Sequence, residues 1–216
     1  MTSIAFIDDI TQLNPHQPVL LYAHGAGSGG ESAFNTAMRC ALLAHNVQVV
    51  RFHFCYMQTL LREQKRRPPP KLGILIDEFC AAYATLREHT SAPLFMGGKS
   101  MGARVASHVA LLACVNKTLK GVVAFGFPFH APRKPAGERV AHLPFFAAPM
   151  CIIQGTRDAF GNQEEVASYT LSSATQVQWL ETACHDFKPL KRSGLTQQAC
   201  IDHAAEHART FIMHHL

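Results

Sequence analysis

The chain has 216 residues, 48% hydrophobic and 16% charged, enough apolar material to bury a substantial core, most simply as a single domain over residues 1–216. A formal charge of +5 is too mild to mark a nucleic-acid binder. No apolar run approaches the roughly 18 residues of a membrane span, which argues against a membrane partner.

The first nine residues carry Asp8 and Asp9 where a secretory leader would carry basic residues, so a soluble, cytoplasmic protein is expected. An apolar strand at 19–23 runs into His24-Gly25-Ala26-Gly27-Ser28-Gly29-Gly30. Residues 32–44 read as a helix with Phe34, Met38, Leu42 and Leu43 on one side, and 47–54 as a second strand. Next comes the densest basic run, Arg62 through Arg66 and Arg67 to Pro68-Pro69-Pro70-Lys71. Without interleaved aromatics it reads first as a solvated loop, and second as a basic rim that attracts an anionic substrate.

Residues 72–89 form a helix with Leu75, Phe79, Ala82 and Leu86 near one stripe, 93–97 a strand, and 100–115 a helix. Short apolar runs follow at 121–126, 150–155 and 176–180, with a helix at 163–171 before the last, and a helix at 196–214 closes the chain. Strands alternating with helices predict an α/β fold, a mostly parallel sheet covered on both faces, with ligands beyond the strands' carboxyl ends. The chain is too short for an inserted cap domain.

Chemistry concentrates at Gly98-Lys99-Ser100-Met101-Gly102, between a strand and a helix. That is the layout of a nucleophile elbow, where a turn too tight for a Cβ two residues before or after lifts the serine hydroxyl clear of the sheet. Two later strand tips carry the partners such a serine needs, Asp158 after 150–155 and His185 after 176–180. His185 would take the Ser100 proton as general base, with Asp158 orienting the imidazole. Asp186, Glu181 and Glu164 are alternative carboxylates, and Asp158 could instead cap the helix near Gln163. The loop after the first strand has no bulky side chains, so the Ala26 and Met101 N–H groups could form an oxyanion hole, with His24 anchoring the loop. Tyr56, Phe127 and Phe129 are candidate walls of the substrate pocket, the last two on the stiff loop 127–137.

Other readings are available for some of these residues. Gly25-x-Gly27-x-x-Gly30 also fits a dinucleotide fingerprint, and Arg51 would suit a 2′-phosphate, as in an NADP-dependent oxidoreductase. Gly98-Lys99-Ser100 looks like the end of a P-loop, but Pro93 stands where that motif requires glycine. The seven cysteines form no C-x-x-C and read as reduced core thiols. No metal is expected, since His203/His207 and His214/His215 lack a completing ligand set.

Four blocks together carry a family resemblance: Tyr22-Ala23-His24-Gly25-Ala26-Gly27, Arg51-Phe52-x-Phe54-x-Tyr56-Met57, Gly97-Gly98-Lys99-Ser100-Met101-Gly102-Ala103-Arg104 and His185-Asp186-Phe187. Through them the chain resembles the α/β-hydrolase superfamily, most closely its small lidless KANL3/Tex30-like members, related to dienelactone hydrolases. The likeness runs from Val19 to the C-terminal helix and departs from the family at Cys55, where proline is usual. It implies no cofactor and a triad of Ser100, Asp158 and His185. It leaves the substrate open, with an ester or thioester of a small acyl group expected. Because some relatives are parts of larger assemblies, a non-enzymatic interaction protein with the same fold is the alternative.

Overall fold

The computed structural model describes residues 4–65, 67–134 and 137–216. Arg66 of the basic run, Pro135 and Ala136 of the expected pocket loop, and residues 1–3 lie outside the described residues. Seven strands form one sheet in the order β1-β3-β2-β4-β5-β6-β7. The parallel strands are β2 (Val19–Ala23), β3 (Gln48–His53), β4 (Leu94–Lys99), β5 (Leu119–Phe125), β6 (Met150–Gly155) and β7 (Thr175–Leu180). This is the predicted mostly parallel α/β sheet.

β1 (Ala5–Phe6) is the antiparallel exception on the outer edge of β3, and two residues leave no pattern to read in sequence. The chain behind it is tied down by charge. Asp8 accepts from the backbone and side-chain N–H groups of Arg51 at 2.9 Å, and Arg39 Nε lies 2.8 Å away. Burial alone would raise the Asp8 pKa, but the hydrogen bonds from Arg51 outweigh it and hold the carboxyl below its usual range. Arg51 also donates to Gly30 O at 3.0 Å. It is therefore a buried clamp between the N-terminal segment and the β2 loop, which removes it as a 2′-phosphate ligand and with it the case for the oxidoreductase.

Why the central strands are buried on both sides follows from the helices. On one face α1 (Ala33–Ala44) and α7 (Gln197–His214) pack Met38, Leu42, Ile201, Ala205 and Phe211 onto Leu20, Tyr22, Phe95 and Phe125. On the other, α3 (Leu72–His89) and α4 (Met101–Val109) set Leu75, Phe79, Ala82, Leu86, Val105 and Val109 against Leu21, Phe52 and Met96. Each fully buried Leu or Phe contributes roughly 1.5–3 kcal/mol. The predicted stripes hold, except that Leu43 is 38% exposed and Ala41 takes its place.

Three helices differ from the sequence reading. A further helix, α2 (Cys55–Glu63), opens the basic run, and the departure from the family at Cys55 falls on its first residue. Proline suits that position because its missing N–H would be unpaired anyway; here the Cys55 N–H donates to Glu78 at 2.8 Å. The elbow helix stops at Val109, where N–H groups of Leu111 and Leu112 turn back three residues, and a separate α5 (Ala113–Asn116) follows. α6 (Gln163–Ala167) is shorter than expected, because the chain turns so that Tyr169 stacks on Phe129 at 5.7 Å. Its cap is Asn162, in a capping box with Glu165, which leaves Asp158 free for another role.

The cysteines are all unpaired, but only Cys151 and Cys200 are buried, so the expectation of core thiols holds for those two; Cys40 and Cys114 are exposed. Among the described residues no helix is long and apolar enough to cross a membrane.

Candidate active site

Ser100 sits at φ 54°, ψ −113°, a strained conformation for a residue with a Cβ, between the end of β4 and the first turn of α4. The turn is compressed against the tip of β2. A Cβ at Gly98 would lie 2.1 Å from Ala23 O, and one at Gly102 would lie 2.3 Å from the same oxygen. Gly98 itself adopts φ 153°. The Ser100 N–H donates to Phe125 O at 3.0 Å, which ties the turn to β5 as well.

The structure brings all three predicted residues into one hydrogen-bonded line. His185 Nε2 lies 2.9 Å from Ser100 Oγ, and His185 Nδ1 lies 2.8 Å from Asp158 Oδ2. An ionised carboxylate only accepts, so Nδ1 carries the proton and Nε2 is left to accept from the serine hydroxyl. Asp158 is fully buried, and its charge is met by further donors: the Phe160 N–H at 2.8 Å and Gln154 Nε2 at 3.0 Å. Asp186, one of the alternative carboxylates, points instead toward Lys99 at 4.0 Å.

Two residues that support this line carry no sequence motif. Gln154, near the end of β6, accepts from the Phe127 N–H at 2.7 Å and donates to Phe127 O, Gly161 O and Asp158, pinning three segments around the carboxylate. Phe160 lies against the His185 ring at a centroid distance of 4.2 Å. The one signal for Gln154 was a polar residue inside an otherwise apolar strand. Lys99 ends β4, immediately before Ser100. It is buried over the faces of Phe34 and Phe187, and burial lowers its pKa to about 8.

His24 has the anchoring role expected of it. Its Nδ1 lies 2.7 Å from Gly25 O and its Nε2 accepts from the Phe54 N–H at 3.3 Å, while burial holds its pKa down to about 4, so the ring is neutral. Ala26 and Met101 both line the cleft beside Ser100. Met101 is the first residue of α4, so its N–H has no acceptor within the helix.

The cleft holds about 470 Å³, within the range of small-molecule sites. Its walls differ from those expected. Phe127 and Phe129 are fully buried in the core, where they pack edge to face at 5.0 Å; Pro128 between them reaches the cleft instead. The two aromatic rings face the core and the proline between them faces the cleft. Tyr56 stands behind the β2 loop, donating to Ala26 O at 3.2 Å, rather than lining the cleft. Pro69, Pro70, Leu72, Arg104 and Arg139 complete the wall. The basic run thus contributes its prolines, while Arg62 and Arg67 turn to Glu63, the latter at 2.6 Å.

A model of the alpha/beta hydrolase domain matches residues 16–213. The chain belongs to this family. Solved alpha/beta hydrolases share the fold at low identity. Dienelactone hydrolase from Anabaena variabilis is 22% identical, with a TM-score of 0.68 over 94% of this chain and 88% of its own. Est1E from Butyrivibrio proteoclasticus, solved with ferulic acid bound, is 12% identical, with a TM-score of 0.71 over 99% and 94%. An a/b serine hydrolase without lid from Xanthomonas campestris is 18% identical, with a TM-score of 0.59 over 89% and 83%.

Proposed function

We propose that this alpha/beta hydrolase is a serine hydrolase that cleaves carboxylic esters or thioesters of small acyl groups through an acyl-enzyme on Ser100. The observation that carries the reading is the unbroken line from Ser100 Oγ through His185 to buried Asp158, opening into a cleft. In this scheme Ser100 Oγ attacks the carbonyl carbon as its proton passes to His185 Nε2, and the imidazolium forms against Asp158. The carbonyl oxygen takes up negative charge between the Ala26 and Met101 N–H groups at the N-terminus of α4. The leaving group departs with the proton from His185, and water then repeats the cycle on the acyl-enzyme.

A cleft of about 470 Å³ without a cap favours short acyl groups over lipid chains. Seven unpaired cysteines fit a reducing setting and support a cytoplasmic location. The finer kinship with KANL3/Tex30-like hydrolases rests on the four sequence blocks.

Hydrolysis of p-nitrophenyl acetate and butyrate, with fluorophosphonate labelling, tests the reading in wild type and Ser100→Ala. Turnover should fall at least about a thousandfold in the variant, and the label should vanish with it. Turnover that survives Ser100→Ala would remove the nucleophile. A folded wild type that neither labels nor turns over would shift the reading to a non-enzymatic interaction protein.

A further inference from the structure

We infer that the cleft recognises a second, anionic group on its substrate, a carboxylate held between Arg104 and Arg139. This rests on the hydrolase reading above and narrows its substrate class. Of the charged residues lining the cleft, Lys99, Arg104 and Arg139 are cationic, and Asp186 is the one carboxylate among them. Asp186 is 61% exposed at its side chain and lies toward Lys99. It forms no ion pair with either arginine.

Among the described residues, no carboxylate forms an ion pair with either Arg104 or Arg139. Arg104 Nε is shut off from solvent and has no hydrogen-bond partner, so a ligand in the cleft would meet the outer nitrogens of the guanidinium. Burial, and then repulsion from Arg139, lower the Arg104 pKa, with Glu138 opposing them. The nearby rings of His108 and His142 stack at 4.1 Å, and each has a pKa of about 4, held down first by burial and in part by Arg104. Both are neutral near pH 7 and add no further positive charge. His142 Nε2 is engaged with Ser107 Oγ at 2.8 Å.

Two guanidinium groups that repel each other beside a reactive serine are relieved by an anion between them. The planar fork of each matches a carboxylate in a way that a lysine ammonium does not. Position sets the scale. Arg104 lies four residues beyond Ser100 on α4, about 6 Å further along the axis and on the same face, and its N–H donates to Ser100 O at 3.1 Å. A carboxylate bound there is a short chain away from the ester carbonyl, as in a half-ester or half-thioester of a short dicarboxylic acid. An aromatic leaving group that bears a carboxylate presents the same chemistry from the other side of the scissile bond.

The experiment compares kcat/KM for p-nitrophenyl butyrate, p-nitrophenyl hydrogen glutarate and a carboxy-nitrophenyl butyrate. It uses wild type, Arg104→Met, Arg104→Lys and Arg139→Gln. Wild type should prefer a carboxylated ester, and which of the two wins identifies the side that carries the anion. The ratio of carboxylated to neutral kcat/KM should fall about 10- to 100-fold in Arg104→Met, less in Arg139→Gln, and be partly kept in Arg104→Lys. Should Arg104→Met not fold, Arg139→Gln, on a half-exposed turn, carries the same test.

If no ester turns over, the preference is read from how strongly glutarate, against butyrate, slows fluorophosphonate labelling of Ser100. A labelled, active wild type that prefers neutral esters, or variants that keep the wild-type ratio, would overturn this inference and leave the hydrolase intact. A wild type that neither labels nor turns over would sink both.

Discussion

Ser100 is positioned by what its neighbours lack, a Cβ at Gly98 and Gly102, whereas His185 is positioned by what its neighbours carry, the Asp158 carboxylate and behind it the Gln154 amide. The elbow is backbone wedged against backbone, with Ala23 O as the anvil. The acid arm is a relay of side chains across three loops, each held by one or two hydrogen bonds. Errors in the first region are steric and felt by the whole fold. Errors in the second are electrostatic and felt by the chemistry.

Substitutions on each side can break that contrast. Asp158→Asn keeps the volume but offers His185 a group that no longer accepts as a charge, so kcat for p-nitrophenyl butyrate should fall by about 10⁴-fold with the fold intact. A fully active variant would show that the relay ends at His185. Gly102→Ala pushes a methyl toward Ala23 O and should cost about 1–3 kcal/mol or more, read as a lower urea midpoint. A variant as stable as wild type would mean that the elbow is loose.

Gln154→Met sharpens the comparison, since it fills the same space without hydrogen bonds. Asp158 would keep one N–H donor besides His185, and kcat should fall about tenfold to a hundredfold. An effect confined to stability would make Gln154 scaffolding alone.

Stability also depends on pH. His24, His108 and His142 have native pKa values of about 4 against 6.5 when unfolded. Between those values the unfolded chain binds more protons, so stability should decline as pH drops from about 6.5 toward 4. His108→Leu should flatten that decline in urea titrations; an unchanged slope would put the titrating groups elsewhere.

The sheet and the meeting of Ser100, His185 and Asp158 were legible in the sequence because each leaves a periodic or positional trace. Apolar runs ending in Gly98, Thr156 and Glu181 marked strand tips, and the order Ser100, Asp158, His185 fell on those tips. The cleft wall was not legible. Phe127 and Phe129 point into the core and Pro128 out of it, a choice set by tertiary packing on Gly161 and Tyr169. Arg104 was visible in the elbow block, but its lack of a counter-ion belongs to three dimensions. α2 escaped notice because its N-cap, Phe54, makes no side-chain capping hydrogen bond and its C-cap, Gln64, takes the left-handed turn without glycine.

The edge of the sheet at β1 carries a consequence of another kind. Two residues of antiparallel ladder are too few to hold a strand by themselves; the packing of Ile4, Phe6 and Ile10 on the core, the Ile7 N–H bond to Arg51 O and the Asp8 carboxylate gripped by Arg51 and Arg39 help keep β1 in place. Behind that short strap lies the outer row of β3, peptide groups that a second copy of the chain could pair with. The covering of that sheet edge therefore depends in part on the Asp8 carboxylate, a side chain far from Ser100.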